Sequence, residues 1–166
     1  MKTNLVKTIR CGVLAAFVLA TTAPSLAVAN DDEKRFNRRS WLVGTWDVQV
    51  TTRDCQTSAA QRTFPSILTY SADGTLIEST SGMPQAAKTP GHGVWSHIRD
   101  NTYYIKFKSF RFDASGNLAG STVISQILSL SSHGNAAEST GTVELFAPNG
   151  TLVVTACSTS ASTRFD

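Results

Sequence analysis

The side chains able to do chemistry in this 166-residue chain are few and scattered. A transition-metal site needs several imidazoles, thiolates or carboxylates converging on one point, which on a strand means even spacing. The histidines are His92, His97 and His133. His92 and His97 fall on opposite faces of a regular strand, so no metal site is expected. Acid–base chemistry would use paired carboxylates. Within strand-like segments the candidates are Glu78 and Glu144, each expected on a solvated face. Serine and threonine are abundant, but no Gly-x-Ser-x-Gly elbow presents a nucleophile, and strand composition accounts for them. Asn149-Gly150-Thr151 has the form of a glycosylation acceptor, but the bacterial look of the N-terminus speaks against it and a hairpin turn explains it. No catalytic residue and no cofactor are therefore expected.

The N-terminus sets the compartment in which any chemistry would occur. A basic stretch with Lys2, Lys7 and Arg10 precedes the apolar run GVLAAFVLA, and Ala27-Val28-Ala29 follows. This is the pattern of a secretory signal peptide of bacterial character, expected over residues 1–29. The apolar run is well short of the roughly 20 residues that span a bilayer, so no membrane anchor is expected after cleavage. Three of the 15 Lys and Arg leave with the leader, so 12 basic residues face 12 acidic ones and the formal charge falls to zero. Nothing in that balance supports a nucleic-acid partner or an anionic membrane surface. Residues 30–40, with Asp31-Asp32-Glu33 beside Lys34-Arg35 and Arg38-Arg39, read as a solvated N-terminal segment. Residues 41–166 are left as one domain, exported to a periplasm or to the outside of the cell. Loss of Cys11 leaves Cys55 and Cys157, which an oxidising compartment is expected to join.

The elements that must position these residues are strands. After Ser40, runs rich in Val, Ile, Thr, Phe and Tyr recur between clusters of Gly, Asn, Asp and Ser. Strands are expected near 44–54, 62–71, 75–81, 92–98, 102–112, 117–130, 137–147 and 151–163. The turns at Asp73-Gly74, Ser115-Gly116 and Asn149-Gly150 each return into Leu, as tight antiparallel hairpins do. The segment from Ser81 to Gly93 holds Pro84 and Pro90 and reads as a loop. An antiparallel meander with no helix to cover an edge removes its edges by closure. The fold class is thus all-β, an eight-stranded antiparallel up-and-down barrel; a two-sheet sandwich is the alternative, and its crossovers do not suit such short turns.

Gly44-Thr45-Trp46 at the first strand and Ser162-Thr163-Arg164-Phe165 at the end resemble the lipocalin and fatty-acid-binding-protein group, the calycins. There, a Gly-x-Trp opens the first strand and a late Arg packs across the Trp at the closed floor of the barrel. The resemblance implies that Trp46 and Arg164 form such a floor, a cation over an aromatic face, with a structural role. A second motif of the Thr-Asp-Tyr type and a helix after the last strand are not found. If Trp46 lies beside Arg164 in neighbouring antiparallel strands, Cys55 falls opposite residue 155, two positions from Cys157.

Alternation along each strand assigns the interior. Trp46, Val48 and Val50 point inward, as do Phe64, Leu68 and Tyr70, and Tyr103, Ile105 and Phe107. Phe110 and Phe112 have the opposite parity, for which a bulge near Lys108 to Ser109 is expected. Gln126 shares the inward face of Ile124, Leu128 and Leu130. Trp95 and His97 are read as a pair near the barrel mouth, where ordinary packing competes with a role in binding. The function that the resemblance implies and the barrel geometry permits is binding of a small, mostly apolar molecule. The expected lining is Phe64, Leu68, Tyr70, Trp95, Tyr103, Ile105 and Phe107. Two other readings stay open: a barrel enzyme of the cyclase or isomerase type, using Gln126, Tyr70 or Tyr103, and a protein-recognition barrel such as a hydrolase inhibitor.

Overall fold

The computed structural model describes residues 41–165; the expected leader, 1–29, and the segment 30–40 lie outside the described residues. Eight strands follow one another: β1 (Gly44–Arg53), β2 (Ala60–Tyr70), β3 (Thr75–Thr80), β4 (Gly91–Arg99), β5 (Thr102–Phe112), β6 (Leu118–Leu130), β7 (Ala136–Phe146) and β8 (Leu152–Arg164). They close into a barrel in sequence order, every strand antiparallel to its neighbours, with β8 returning beside β1. Closure pairs every strand on both sides, so no edge is left to template association. The hairpin glycines Gly74, Gly116 and Gly150 have φ of 92°, 81° and 85°, the left-handed values that such turns require.

Trp46 pairs with Arg164 and Arg53 with Cys157 in an unbroken β1–β8 register. Cys55, just past the end of β1, is bonded to Cys157 with their Cα atoms 5.1 Å apart. A disulfide of this kind belongs to an oxidising, non-cytoplasmic environment.

The barrel has two unlike ends. The turns 71–74, 99–101 and 131–135 lie at one end with residues 41–43, and this end is closed. Trp46 is 1% exposed, and its Nε1 donates to the Leu42 carbonyl at 2.9 Å. The Arg164 guanidinium sits 4.5 Å from the centre of the Trp46 ring. It donates to the carbonyls of Trp41, Val43 and Gly134 and so ties the chain entering β1 to the turn before β7. Gly44 accounts for the small residue two places before Trp46, because a Cβ there would stand 2.7 Å from Arg164 Nη1. Above this floor Tyr70, Trp95 and Tyr103 stack edge to face, with Leu76, Ile105 and Leu130 buried among them.

Three expectations are corrected here. Strand β5 keeps strict alternation through Ser109, which is buried and pairs with Thr122; the register shifts only between Arg111 and Phe112. Phe110 therefore points outward, 48% exposed, with Lys108 Nζ 5.4 Å over its ring. A lysine stem and ammonium cover an outward phenyl well enough that no bulge is needed to turn it in. Glu78 is not on a solvated face: it is 5% exposed and shares the inward parity of Leu76. Trp95 and His97 are not at the mouth, because β4 runs from the 81–90 loop down toward the closed end. Trp95 Nε1 donates to the Ser71 carbonyl there, and the His97 ring lies against Tyr103.

Candidate functional site

The opposite end carries the turns 54–59, 113–117 and 147–151 and the longer 81–90 connection, which includes a three-residue 3-10 turn at Gln85–Ala87. Between these turns and the aromatic floor the interior is not filled. A cavity of about 310 Å³ occupies this half of the barrel. Its apolar wall includes Val48, Val50, Phe64, Leu68, Phe107, Ile124, Val143 and Leu145. A second wall is hydroxylic: Ser158, Ser160 and Ser162 follow one another on the inward face of β8. Ser160 Oγ is hydrogen-bonded to Ser139 Oγ at 2.7 Å.

Of the residues expected to line a site, Phe64, Leu68, Tyr70 and Phe107 border this cavity. Trp95, Tyr103 and Ile105 do not; they form the packed layer beneath it. Val143, Leu145 and the β8 serines escape a reading from composition, because Ser- and Thr-rich strands give no apolar period to count. Their parity relative to Trp46 through the β1–β8 register does find them.

A buried ion pair closes one side of the mouth. Lys88, from the 81–90 loop, reaches Glu78 Oε2 at 2.7 Å, and the two side chains are 9% and 6% exposed. Lys88 Nζ also donates to the Thr89 carbonyl, and Ser66 Oγ donates to the Ser79 carbonyl beside Glu78. Gly91 makes the room, since a Cβ there would lie 2.7 Å from Glu78 Oε2 and 2.8 Å from the Phe107 ring. The loop is further held by Arg62 Nη1 donating to the Gly82 carbonyl, and Gly82 lies flat against the Phe64 ring.

Beyond the rim the β7–β8 hairpin continues. Val154 and Leu152 keep the inward parity of Ser158 but stand above the barrel, 45% and 49% exposed. They extend the apolar wall of Val143 and Leu145 into solvent.

Gln126, Tyr70 and Ser158, which are 8%, 3% and 3% exposed, border the cavity, and their side chains make no hydrogen bond among the described residues. Burial pushes the Tyr70 phenol well above its usual value. It is a hydroxyl donor at neutral pH and not a base. No group of three or more His, Cys, Asp or Glu that could hold a metal is found among the described residues. A concavity of about 510 Å³ lies outside the barrel, over Gln49, Arg53, Glu138 and Thr159, but its wall is more polar than apolar and it is more open than the barrel cavity.

No family model and no curated protein sequence matches this chain. The fold and the site are therefore its best functional description.

Proposed function

We propose that this protein is an exported, calycin-like barrel that binds one small, mostly apolar molecule in the cavity at its open end. The observation that carries the reading is that cavity of about 310 Å³, half enclosed by apolar side chains above a fully packed floor. Ligand pockets run from roughly 300 to 1,000 Å³. An engineered cavity of about 150 Å³ takes benzene, so by proportion this one suits a molecule of about 12 non-hydrogen atoms. Removing about 300 Å² of apolar surface from water contributes roughly 7 kcal/mol. That corresponds to a dissociation constant near 10 µM, and the entropy of association weakens it from there. The signal-peptide pattern and the bond between Cys55 and Cys157 both support export to a periplasm or the cell exterior. The Gly44-Thr45-Trp46 opening and the Arg164 stack support the calycin likeness.

The test begins with native mass spectrometry of the protein purified from its own host, under gentle and then denaturing conditions. A mass lost on denaturation identifies the carried molecule. Ile124→Trp, which places an indole in the cavity, is expected to abolish uptake of naphthalene while the melting temperature stays within a few degrees. Uptake that survives this substitution would place binding elsewhere and sink the reading.

A further inference from the structure

Within that cavity, and resting on the binding reading above, the geometry points to the chemistry of the ligand's polar end. We propose that it is a neutral hydrogen-bonding group, such as a carboxamide or an alcohol, held between the Gln126 carboxamide and the Ser158 hydroxyl.

Both side chains border the cavity and both are more than nine-tenths buried, Gln126 at 8% and Ser158 at 3% exposure. Ser158 Oγ has no hydrogen-bond partner, and Gln126 has none among the described residues. A buried polar atom left unpaired is costly, and Ser158 Oγ is one, with the unpartnered Gln126 carboxamide on the same cavity wall. The strand register puts them on one tier: Gln126 pairs with Gly141 on β7, and Gly141 pairs with Ser158 on β8. Gly141 carries no side chain to stand between them. It is required there because a Cβ would collide with the Ser125 carbonyl and lie 2.7 Å from Gln126 Cγ. Two strand spacings put the flanking backbones roughly 10 Å apart, and both side chains border the cavity. A carboxamide both donates and accepts, and a serine hydroxyl does the same, so the complementary group has both capacities.

Neutrality follows from the charges around the cavity. Lys88 is already compensated by Glu78 at 2.7 Å, so the pair offers no net charge to an entering ion. Arg62 is exposed at the rim and donates to the Gly82 carbonyl. An ionised head group at the tier of Gln126 and Ser158 would lose its hydration with no counter-charge beside it, since Arg62, the lining cation outside the ion pair, stays at the solvated rim, and that loss costs several kcal/mol per ion.

The test compares three probes of one shape, naphthalene, 2-naphthamide and 2-naphthoate, by fluorescence titration of the wild-type protein, Gln126→Leu and Ser158→Ala. The readout is the ratio of dissociation constants, naphthalene over 2-naphthamide, which cancels changes in cavity shape common to both. Gln126→Leu is expected to lower that ratio about tenfold and Ser158→Ala about threefold, with naphthalene binding retained in both. The wild type is expected to bind 2-naphthoate at least tenfold more weakly than 2-naphthamide. If naphthalene binds but the ratio is the same in all three proteins, the niche holds only water and this proposal falls while the cavity reading stands. Tightest binding of 2-naphthoate overturns neutrality. If no probe binds the wild type, the proposal falls together with the reading beneath it.

Discussion

At the closed end of the barrel the Trp46 indole, the Trp95 indole and the Arg164 guanidinium all donate to backbone carbonyls. Farther up the barrel lie the three buried side-chain atoms that, among the described residues, lack a hydrogen bond: Ser109 Oγ and Arg111 Nε on the upper reach of β5 and Ser158 Oγ midway along β8. The same eight strands thus run from a satisfied, close-packed floor to a half with empty volume, unpaired polar groups and apolar side chains raised into solvent. Interiors packed like the floor cannot admit a ligand, and interiors like the upper half do not hold a fold together. The division teaches that stability and binding are kept apart along the strand axis, so substitutions at the two ends should separate in what they change.

The largest effect should come from breaking the floor. Trp46→Ala removes a fully buried indole and the face on which Arg164 rests, and is expected to cost about 4 kcal/mol. Urea unfolding would measure this, and a loss under about 1 kcal/mol would mean that the floor does not anchor the barrel. Next is the staple at the rim. Cys55→Ala with Cys157→Ala, which opens a loop spanning 102 residues of sequence, is expected to cost about 3 kcal/mol. The cost should fall on global stability, with the affinity of the folded protein for naphthalene unchanged within about twofold.

The Glu78–Lys88 pair sharpens the comparison, since it lies inside the half that is otherwise loosely satisfied. Glu78→Leu leaves a buried lysine uncompensated and is expected to destabilise by about 2–3 kcal/mol, whereas Glu78→Leu with Lys88→Met should recover most of it. Failure of the double variant to recover would show that the pair does more than neutralise itself. The smallest effect is acid sensitivity at the open-end turns. Asp113 is held below the ordinary aspartate value chiefly by the backbone N–H of Asn117, with further bonds from the Asn117 side chain and Ser115. Asp54 is held below it by Thr57, with Gln56 adding a backbone bond. A carboxyl with a lowered folded-state value contributes stability above its unfolded value and loses it as pH falls through the folded one. The melting-temperature deficit of Asp113→Asn should therefore be constant from pH 7 to about pH 5 and shrink as pH falls below the ordinary value of 3.8. A deficit that persists unchanged in acid would show that the turn acts through something other than the carboxylate.

Much of this architecture was legible in the chain itself. Period-two alternation and Gly-bearing turns are local signals, and they placed all eight strands within two residues of their ends. Parity alone put Phe64, Leu68, Tyr70, Phe107 and Gln126 inside. Trp46 opposite Arg164 brought Cys55 and Cys157 within reach, because register in a closed antiparallel pair is fixed by one matched position. What the chain could not show is where the interior is full. Whether a tier of the barrel closes depends on the combined volume of side chains from eight strands, and alternation along one strand says nothing of the others. So Trp95, Tyr103 and Ile105 could not be told from true cavity lining by type, since both are large, apolar and inward. Glu78 followed the parity of Leu76, yet its burial depended on Lys88 folding back from a loop ten residues away in sequence. The tier joining Gln126, Gly141 and Ser158 exists only when β6, β7 and β8 are in register. Local chemistry determined the strands, their faces and their staple; the tertiary structure alone decided which end is a floor and which is a site, because that is a property of summed volumes and paired charges across strands.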